Sequence, residues 1–99
     1  MVVCFKVAAS AYLEYNLILR FKGCTDEDVM MFKIIPNLGE IPLTSNIILE
    51  ASNLRRKYGL TFFDSLHAAS ATIHDKEIIS LDTAYANIKE LKLIDPRSL

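Results

Sequence analysis

The chain has 99 residues, of which 52% are apolar and 23% charged, and its formal net charge is −1. This length supports one domain with a sizeable core but not two, so we predict a single domain over residues 1–99. The charge balance excludes a surface that binds nucleic acid through overall basicity. A nucleic-acid partner would need a local basic patch or a bound cation.

The sequence carries no targeting signal and no metal-binding cysteine pattern. Cys4 and Cys24 have neither zinc-site nor disulfide-framework spacing, which indicates a reducing, cytoplasmic location. The first residues lack the basic and apolar regions of a signal peptide. No apolar run approaches the ~20 residues that a membrane span needs, so we expect no membrane association.

Residues 2–22 predict the first strand and the first helix. Residues 2–7 are rich in β-branched apolar side chains, which favour a buried strand. Ser10 is a candidate N-cap for a helix over 11–22, and Gly23 is its candidate terminator. Because this helix is almost entirely apolar, we expect both of its broad faces to be covered.

Two further helices are predicted in the middle of the chain. A capping box formed by Thr25 and Asp28 begins the second helix, which stops before Pro36. Residues 37–43 contain glycine and proline and predict a connection. Thr44 is the N-cap of a third helix, which buries an apolar stripe and ends at the next glycine.

The C-terminal part predicts a helix, a strand and two short elements. Thr61 caps a helix whose small Ala and Ser side chains permit close packing against a sheet. Residues 77–81 predict an apolar strand, 82–91 a short helix and 92–94 a last short strand. This alternation is typical of an α/β fold, and we expect a small parallel sheet flanked by helices on both faces.

Three acidic side chains are candidates for a functional site. Glu14 lies on the side of its helix that should face the interior, because its neighbours at helical spacing are small or apolar. Asp64 lies in the first turn of the fourth helix, and Asp82 directly follows the strand over 77–81. Sites in parallel sheets lie outside the carboxyl ends of the strands, an edge that the start of the fourth helix can face. We therefore expect the three carboxylates to meet there.

Converging carboxylates predict a site for a divalent cation. Mg²⁺ and Mn²⁺ prefer oxygen ligands. Such a cation activates water and stabilises the charge on a phosphate under attack. It also relieves the mutual repulsion of the acids.

Each acid also has a purely structural interpretation. Asp64 completes the pattern Thr61-x-x-Asp64, which is a capping box. Asp82 can be the N-cap of the final helix. Glu14 can be a partly exposed helix residue, although its apolar surroundings disfavour this because a buried unpaired carboxylate is costly.

Other polar residues give weaker signals. His67 lies one helical turn after Asp64 and could support the site, but a hydrogen-bonded core histidine is the more common role. Arg55, Arg56 and Lys57 could contact phosphates, but a solvated helix end is the more common role for such a run.

Two segments together resemble a known family. Residues 60–71 contain an Asp followed by small apolar helix residues, and residues 78–82 form an apolar strand ending in Ser-Leu-Asp, with Tyr85 shortly after. This pattern resembles the C-terminal half of PIN domains, in particular the toxin ribonucleases of prokaryotic toxin–antitoxin pairs. Residues 10–14 resemble the strand-to-helix segment of the same family, whose Glu is an active-site acid.

The resemblance implies an α/β fold with a parallel sheet flanked by helices. It implies hydrolysis of phosphodiester bonds, mostly of RNA, with Mg²⁺ or Mn²⁺ as cofactor. Glu14, Asp64 and Asp82 correspond to three of the family's metal-holding acids, and Ser80 to the hydroxyl position beside the last one. The partners that it implies are RNA and an antitoxin protein.

The sequence lacks a counterpart of the family's first strand, which carries a leading Asp, and of the helix that follows it. Residues 2–7 resemble the second strand instead, and they contain no acid. Because the first strand is normally central in the sheet, its neighbours would have open edges. Three arrangements would cover them: residues 2–7 shift inward, a second copy pairs across the gap as a homodimer, or a partner chain supplies the strand.

Two functions remain open from the sequence. The first is a metal-dependent ribonuclease, either fully active or weakened by the absent acid. The second is a catalytically degenerate PIN-like module that binds a partner. A third interpretation is an α/β interaction domain with capped helices and no site.

Overall fold

The computed structural model describes residues 2–3, 6–34 and 39–98 of the chain. Its elements in chain order are β1 (Val2–Val3), β2 (Lys6–Ala8), α1 (Ala9–Lys22), α2 (Asp26–Ile34), β3 (Glu40–Ile41), α3 (Ser45–Tyr58), α4 (Phe62–His74), β4 (Glu77–Ile79) and β5 (Lys92–Ile94), with 3-10 helices at Thr83–Asn87 and Pro96–Ser98. In these ranges, no helix combines the length and the apolarity that crossing a bilayer requires. The predictions for Cys4 and Pro36 lie outside the described residues, as do parts of those for residues 2–7 and 37–43.

The strands form one mixed sheet in the order β3-β2-β1-β4-β5. β2 is parallel to β3 and β4 is parallel to β5, whereas β1 is antiparallel to both β2 and β4. β2 and β4 therefore run in the same direction, and their carboxyl ends lie at one edge of the sheet. The predicted parallel sheet is confirmed for the two outer pairs, and β1 departs from it.

Val2–Val3 and Lys6–Ala8 are two strands that pair in antiparallel register, so the prediction of one continuous strand over residues 2–7 is wrong. Val2 of β1 pairs with Val7 of β2 in antiparallel register, and Val2 also pairs with Ile79 of β4. β1 thus fills the position between β2 and β4, where two strand edges would otherwise lack partners. This position agrees with the first of the three arrangements considered above, although β1 runs antiparallel to both of its neighbours.

Three helices have the termini that local side-chain chemistry predicts. The Thr25 N–H donates to Asp28 Oδ2 at 2.9 Å and the Asp28 N–H donates to Thr25 Oγ1 at 3.2 Å, which is a complete capping box for α2. Thr44 Oγ1 accepts from the Ile47 N–H at 3.4 Å at the start of α3. Gly59 ends α3 with φ 68°, a left-handed conformation that favours glycine. Thr61 caps α4 as predicted.

α1 departs from two predictions. It begins at Ala9 directly after β2, and Ala8 is its N-cap, so the prediction of a Ser10 cap is wrong because the strand continues into the helix without a loop. The prediction that both broad faces of α1 are covered is also wrong. One face packs on α4 and β2, whereas the other face exposes apolar side chains. The exposed apolar side chains of α1 and α2, called here the α1–α2 apolar surface, are Leu13, Leu17, Ile18, Phe21, Val29, Met30, Met31 and Ile34.

α4 is the central helix of the core. Its residues 65–71 are all buried, and the helix packs on α3, on α1 and on β1, β2 and β4. Its small Ala and Ser side chains permit these contacts, as predicted. The core consists of Ile41, Ile47, Ala51, Leu54, Leu66, Ala68, Ala69, Ala71, Ile78, Tyr85 and Ile88.

The C-terminal elements are shorter than predicted. The expected helix over 82–91 is a 3-10 helix at Thr83–Asn87, while β5 occupies the predicted residues. β3 lies within the predicted connection, where its two residues are too few to give an alternating pattern. The segment after β4 lies close to the start of α4. The contact between the buried Tyr85 and Asp64 shows this proximity.

Candidate active site

Asp64 lies in the first turn of α4 and accepts a hydrogen bond from a distant side chain. Thr61 Oγ1 accepts from the Asp64 N–H at 3.3 Å, which caps the helix. The carboxylate does not complete the capping box, because Asp64 Oδ1 accepts from the Tyr85 hydroxyl at 3.2 Å. Within the described ranges, no hydrogen bond joins the Thr61 N–H to this carboxylate. A tertiary contact therefore holds the side chain that the capping pattern would place at the helix end.

The Tyr85 hydroxyl lies in the field of all three predicted acids. Tyr85 is fully buried. Burial is the largest cause that raises the pKa of its phenol, and the charge and hydrogen bond of Asp64 and the charges of Asp82 and Glu14 raise this pKa further. Asp64 contacts this hydroxyl directly, at 3.2 Å.

Glu14 lies in the second turn of α1 and contacts α4. His67 Nε2 lies 3.1 Å from Glu14 Oε1, and His67 Nδ1 lies 2.7 Å from Ser10 Oγ. Ser10 and His67 are fully buried, whereas Glu14 is partly exposed. His67 is therefore a hydrogen-bonded core histidine, and one of its partners is a candidate acid.

Asp82 is the exposed member of the three acids, whereas Glu14 and Asp64 are half-buried. Its Oδ1 accepts from the Ala84 N–H at 2.9 Å, so Asp82 is the N-cap of the 3-10 helix that follows. Its own N–H donates to Ser80 Oγ at 3.0 Å. Ser80 therefore orders the backbone that carries Asp82.

The acids have an oxygen-donor set that fits a Mg²⁺ or Mn²⁺ ion. Each uses one carboxylate oxygen within the protein, and in the part of the chain that the structure describes no donor meets the other oxygen, Oε2 of Glu14 or Oδ2 of Asp64 and Asp82. Across residues 2–3, 6–34 and 39–98, no three His, Cys, Asp or Glu side chains form a preformed metal-binding group. Mg²⁺ usually keeps several water ligands, so these acids could bind an ion directly or through its waters without forming a preformed cluster.

A family model for the PIN domain matches residues 8–91, a range that covers most of the chain and all three acids. The chain belongs to the PIN-domain family. PIN domains are nuclease-like proteins that generally depend on a divalent metal, so the family predicted from the two sequence segments is confirmed. No curated protein and no solved structure matches the chain significantly.

The basic run of this PIN domain lies at the end of α3, beside the start of α4. Arg55 Nη1 donates to Ser65 Oγ at 2.7 Å, which ties α3 to the first turn of α4. Lys57 Nζ pairs with Glu90 Oε1 at 2.8 Å. Arg56 is exposed. Because Arg55 and Lys57 already have partners, Arg56 is the best placed of the three to contact a phosphate.

Two residues of the candidate site have roles that the sequence did not predict. Ser10 contacts His67 instead of capping a helix, and its spacing of one turn from Glu14 is the signal that both could share a partner on α4. Tyr85 donates to Asp64 across 21 positions of sequence. No local pattern predicts a contact at that separation; the sequence marks Tyr85 only as an aromatic residue expected in PIN domains.

Proposed function

We propose that this PIN domain is a divalent-metal-dependent ribonuclease of the toxin type, in which Glu14, Asp64 and Asp82 hold the cation. The observation that carries the proposal is a pair of contacts on the first turns of α4: His67 contacts Glu14 at 3.1 Å, and Tyr85, which follows Asp82 in the next segment, donates to Asp64 at 3.2 Å. The acids come from α1, from α4 and from the segment after β4, so only the tertiary fold gathers them. These contacts support a shared cation site in a family that generally depends on one.

The cation, when bound, stabilises the negative charge on the phosphate under attack and makes a bound water more acidic. The chain itself orients the acids before the cation arrives. Tyr85 donates to Asp64, and the Ala84 N–H donates to Asp82. These bonds restrict the carboxylate rotamers, so less entropy is lost when a cation binds.

We propose single-stranded RNA as the substrate, with the basic run at the end of α3 as a weak phosphate contact. Arg56 is exposed, whereas Arg55 and Lys57 are engaged with Ser65 and Glu90. The chain has a net charge of −1, so the cation has to offset the repulsion between the acids and the RNA backbone. RNA binding is therefore expected to be weak without the metal.

The first test is RNA cleavage by the Asp64→Asn variant. This change keeps the shape of the side chain and removes its charge, and loss of one charge-stabilising group typically slows catalysis on the order of 10²–10³-fold. We expect a loss of that size when single-stranded RNA is incubated with the purified protein and Mn²⁺.

Asp26→Asn is the matched control, because Asp26 is an exposed acid in the first turn of α2. It should cleave RNA at the wild-type rate. Undiminished cleavage by Asp64→Asn, or no cleavage by the wild-type chain with either Mn²⁺ or Mg²⁺, would contradict the proposed function.

The α1–α2 apolar surface supports a partner for this domain. Monomeric soluble proteins rarely expose contiguous apolar patches larger than a few hundred Å², and the exposed apolar side chains here come from two successive helices. We propose that two copies pair through this surface in the cytoplasm, because one self-complementary patch is sufficient for a two-fold dimer. An antitoxin protein is the alternative occupant, and it would compete with the dimer for the same side chains.

A catalytically degenerate PIN domain that acts as a binding module is the second candidate function. Two observations favour it: the central strand β1 carries Val2 and Val3 and supplies no carboxylate, and the described residues contain no preformed group of three metal ligands. This candidate predicts that the wild-type chain binds neither Mn²⁺ nor Mg²⁺ tightly. The cleavage assay above, run with both ions, separates the two candidates.

A further inference from the structure

Ser10, His67 and Glu14 form a hydrogen-bonded chain that joins α1 to α4. Ser10 Oγ lies 2.7 Å from His67 Nδ1, and Glu14 Oε1 lies 3.1 Å from His67 Nε2. Ser10 and Glu14 are one helical turn apart on α1, so a single imidazole of α4 contacts both. The ring also stacks on Phe63, with 6.3 Å between the ring centroids.

Only one member of this chain is accessible to a substrate or an ion. Ser10 and His67 are each 0% exposed, so the serine hydroxyl cannot attack a phosphodiester and the imidazole cannot touch one. The Glu14 side chain is 37% exposed. Any effect of Ser10 and His67 on the chemistry of the site is therefore exerted through Glu14.

One arrangement of hydrogens satisfies both contacts with a neutral ring. The Ser10 hydroxyl donates to Nδ1, and the Nε2–H group then donates to Glu14 Oε1. The other neutral tautomer would place an unprotonated nitrogen against the Glu14 carboxylate, which has no proton to donate when ionised. Donation by Ser10 therefore selects the tautomer that holds Glu14.

We propose that Ser10 and His67 are positioning residues that hold Glu14 through Oε1 so that Oε2 is available to the divalent cation. The inference rests on the proposed function and deepens it, because it assigns part of the cation affinity to a buried pair that never touches the ion. A glutamate without a hydrogen-bond partner samples several rotamers. A hydrogen bond from His67 to the charged Glu14 carboxylate restricts these rotamers before the ion binds. Hydrogen-bond partners of metal ligands typically change metal affinity by about 10–100-fold.

The test compares Mn²⁺ binding by the wild-type chain, His67→Leu and His67→Gln, with the free ion measured by electron paramagnetic resonance. His67→Leu removes the donor, and we expect Mn²⁺ affinity to fall on the order of tenfold. His67→Gln restores an N–H close to the position of Nε2 and should recover most of that affinity. Circular dichroism should show that both variants fold like the wild type. The proposal would be overturned if His67→Leu bound Mn²⁺ with wild-type affinity, or if His67→Leu and His67→Gln lost affinity equally.

Ser10→Ala tests the tautomer without any metal or activity. In long-range ¹H–¹⁵N spectra, we expect the wild-type His67 ring to be protonated at Nε2 alone and the Ser10→Ala ring to populate both tautomers. Ser70→Ala is the matched control, since Ser70 is also buried but donates to the Leu66 carbonyl of its own helix. A wild-type ring protonated at Nδ1, or no change in Ser10→Ala, would overturn the role of Ser10.

The outcomes separate this inference from the proposed function. If the wild-type chain binds Mn²⁺ but cleaves no RNA, the proposed function fails while the His67 variants still measure positioning. If RNA is cleaved and His67→Leu binds Mn²⁺ as tightly as the wild type, only the positioning inference fails. If the wild-type chain binds no Mn²⁺, both fail.

Discussion

The Tyr85 hydroxyl is buried beside acids that oppose its ionisation. The hydroxyl donates to Asp64 Oδ1 at 3.2 Å, and burial, Asp64, Asp82 and Glu14 all raise the pKa of the phenol above its ordinary value of 10.0. The folded state therefore binds this proton more tightly than the unfolded state does. By linkage, Tyr85 contributes stability that is complete below about pH 10 and is lost as the pH rises further.

Tyr85→Phe should remove this part of the pH dependence. At neutral pH we expect the variant to lose about 1 kcal/mol of unfolding free energy, because the hydrogen bond to Asp64 is absent. Between about pH 9 and about pH 11 the wild type should lose more stability than the variant, because only the wild type has this phenol to ionise. Urea unfolding of both proteins at the two pH values measures the difference, and equal losses would show that Tyr85 ionises freely in the folded state.

Asp64 shows what the sequence can and cannot predict for a single side chain. The pattern Thr61-x-x-Asp64 fits a capping box and an active-site acid equally well, since both need a carboxylate in the first turn of a helix. The contact that takes the Asp64 carboxylate out of the capping box comes from Tyr85, 21 positions away. For Asp82 the local interpretation holds, because the Ala84 N–H that it caps is only two positions away.

At the scale of elements, local chemistry predicts the helix termini and fails where the structure depends on distant contacts. The termini of α2, α3 and α4 follow from Thr and Asp caps and from a glycine, which act within one turn. α1 has no side-chain cap, and its start is set by the strand that precedes it. Its apolar composition predicts burial on both faces, but burial requires a covering element that the described chain does not provide.

Gly59→Ala should cost about 1 kcal/mol of unfolding free energy. Gly59 has φ 68° and an added Cβ would meet nothing within 4 Å, so the cost is the strain of the left-handed backbone rather than a clash. Gly59→Asn is the matched comparison and should lose less, because asparagine tolerates this conformation. Urea unfolding measures both. A Gly59→Ala variant as stable as the wild type, or one no less stable than Gly59→Asn, would contradict this account of the C-terminus of α3.

At the scale of the whole molecule, pairing between distant segments sets the sheet and is the least predictable feature. The two-residue strand β1 has too few side chains for its direction to follow from an apolar pattern. Its antiparallel position between β2 and β4 follows from the partners it meets there. The order of the four α-helices and the family were predictable, because the longer helices and the two motif segments carry their own patterns.

Phe21→Glu should convert the proposed dimer into a monomer. Phe21 is 82% exposed, so the substitution adds a charge to the α1–α2 apolar surface without disturbing the core. Two such charges would face each other or apolar side chains across a two-fold interface, which is unfavourable. Sedimentation equilibrium should show a dimer for the wild type and a monomer for the variant.

Ile48→Glu is the control for that experiment, since Ile48 is an exposed apolar residue of α3 and lies outside the α1–α2 apolar surface. It should remain dimeric. A wild-type chain that sediments as a monomer, or dissociation in both variants, would argue against pairing through α1 and α2.

The junction between β2 and α1 has no loop, and this restricts where residues can be inserted or deleted. No loop residue separates Ala8 from Ala9, so one inserted codon there would rotate the rest of the helix by about 100°. Glu14 would then point away from His67, and no later adjustment along α1 could return it. We expect insertions and deletions in related sequences to be excluded from this junction and tolerated around Gly23, where α1 has already ended.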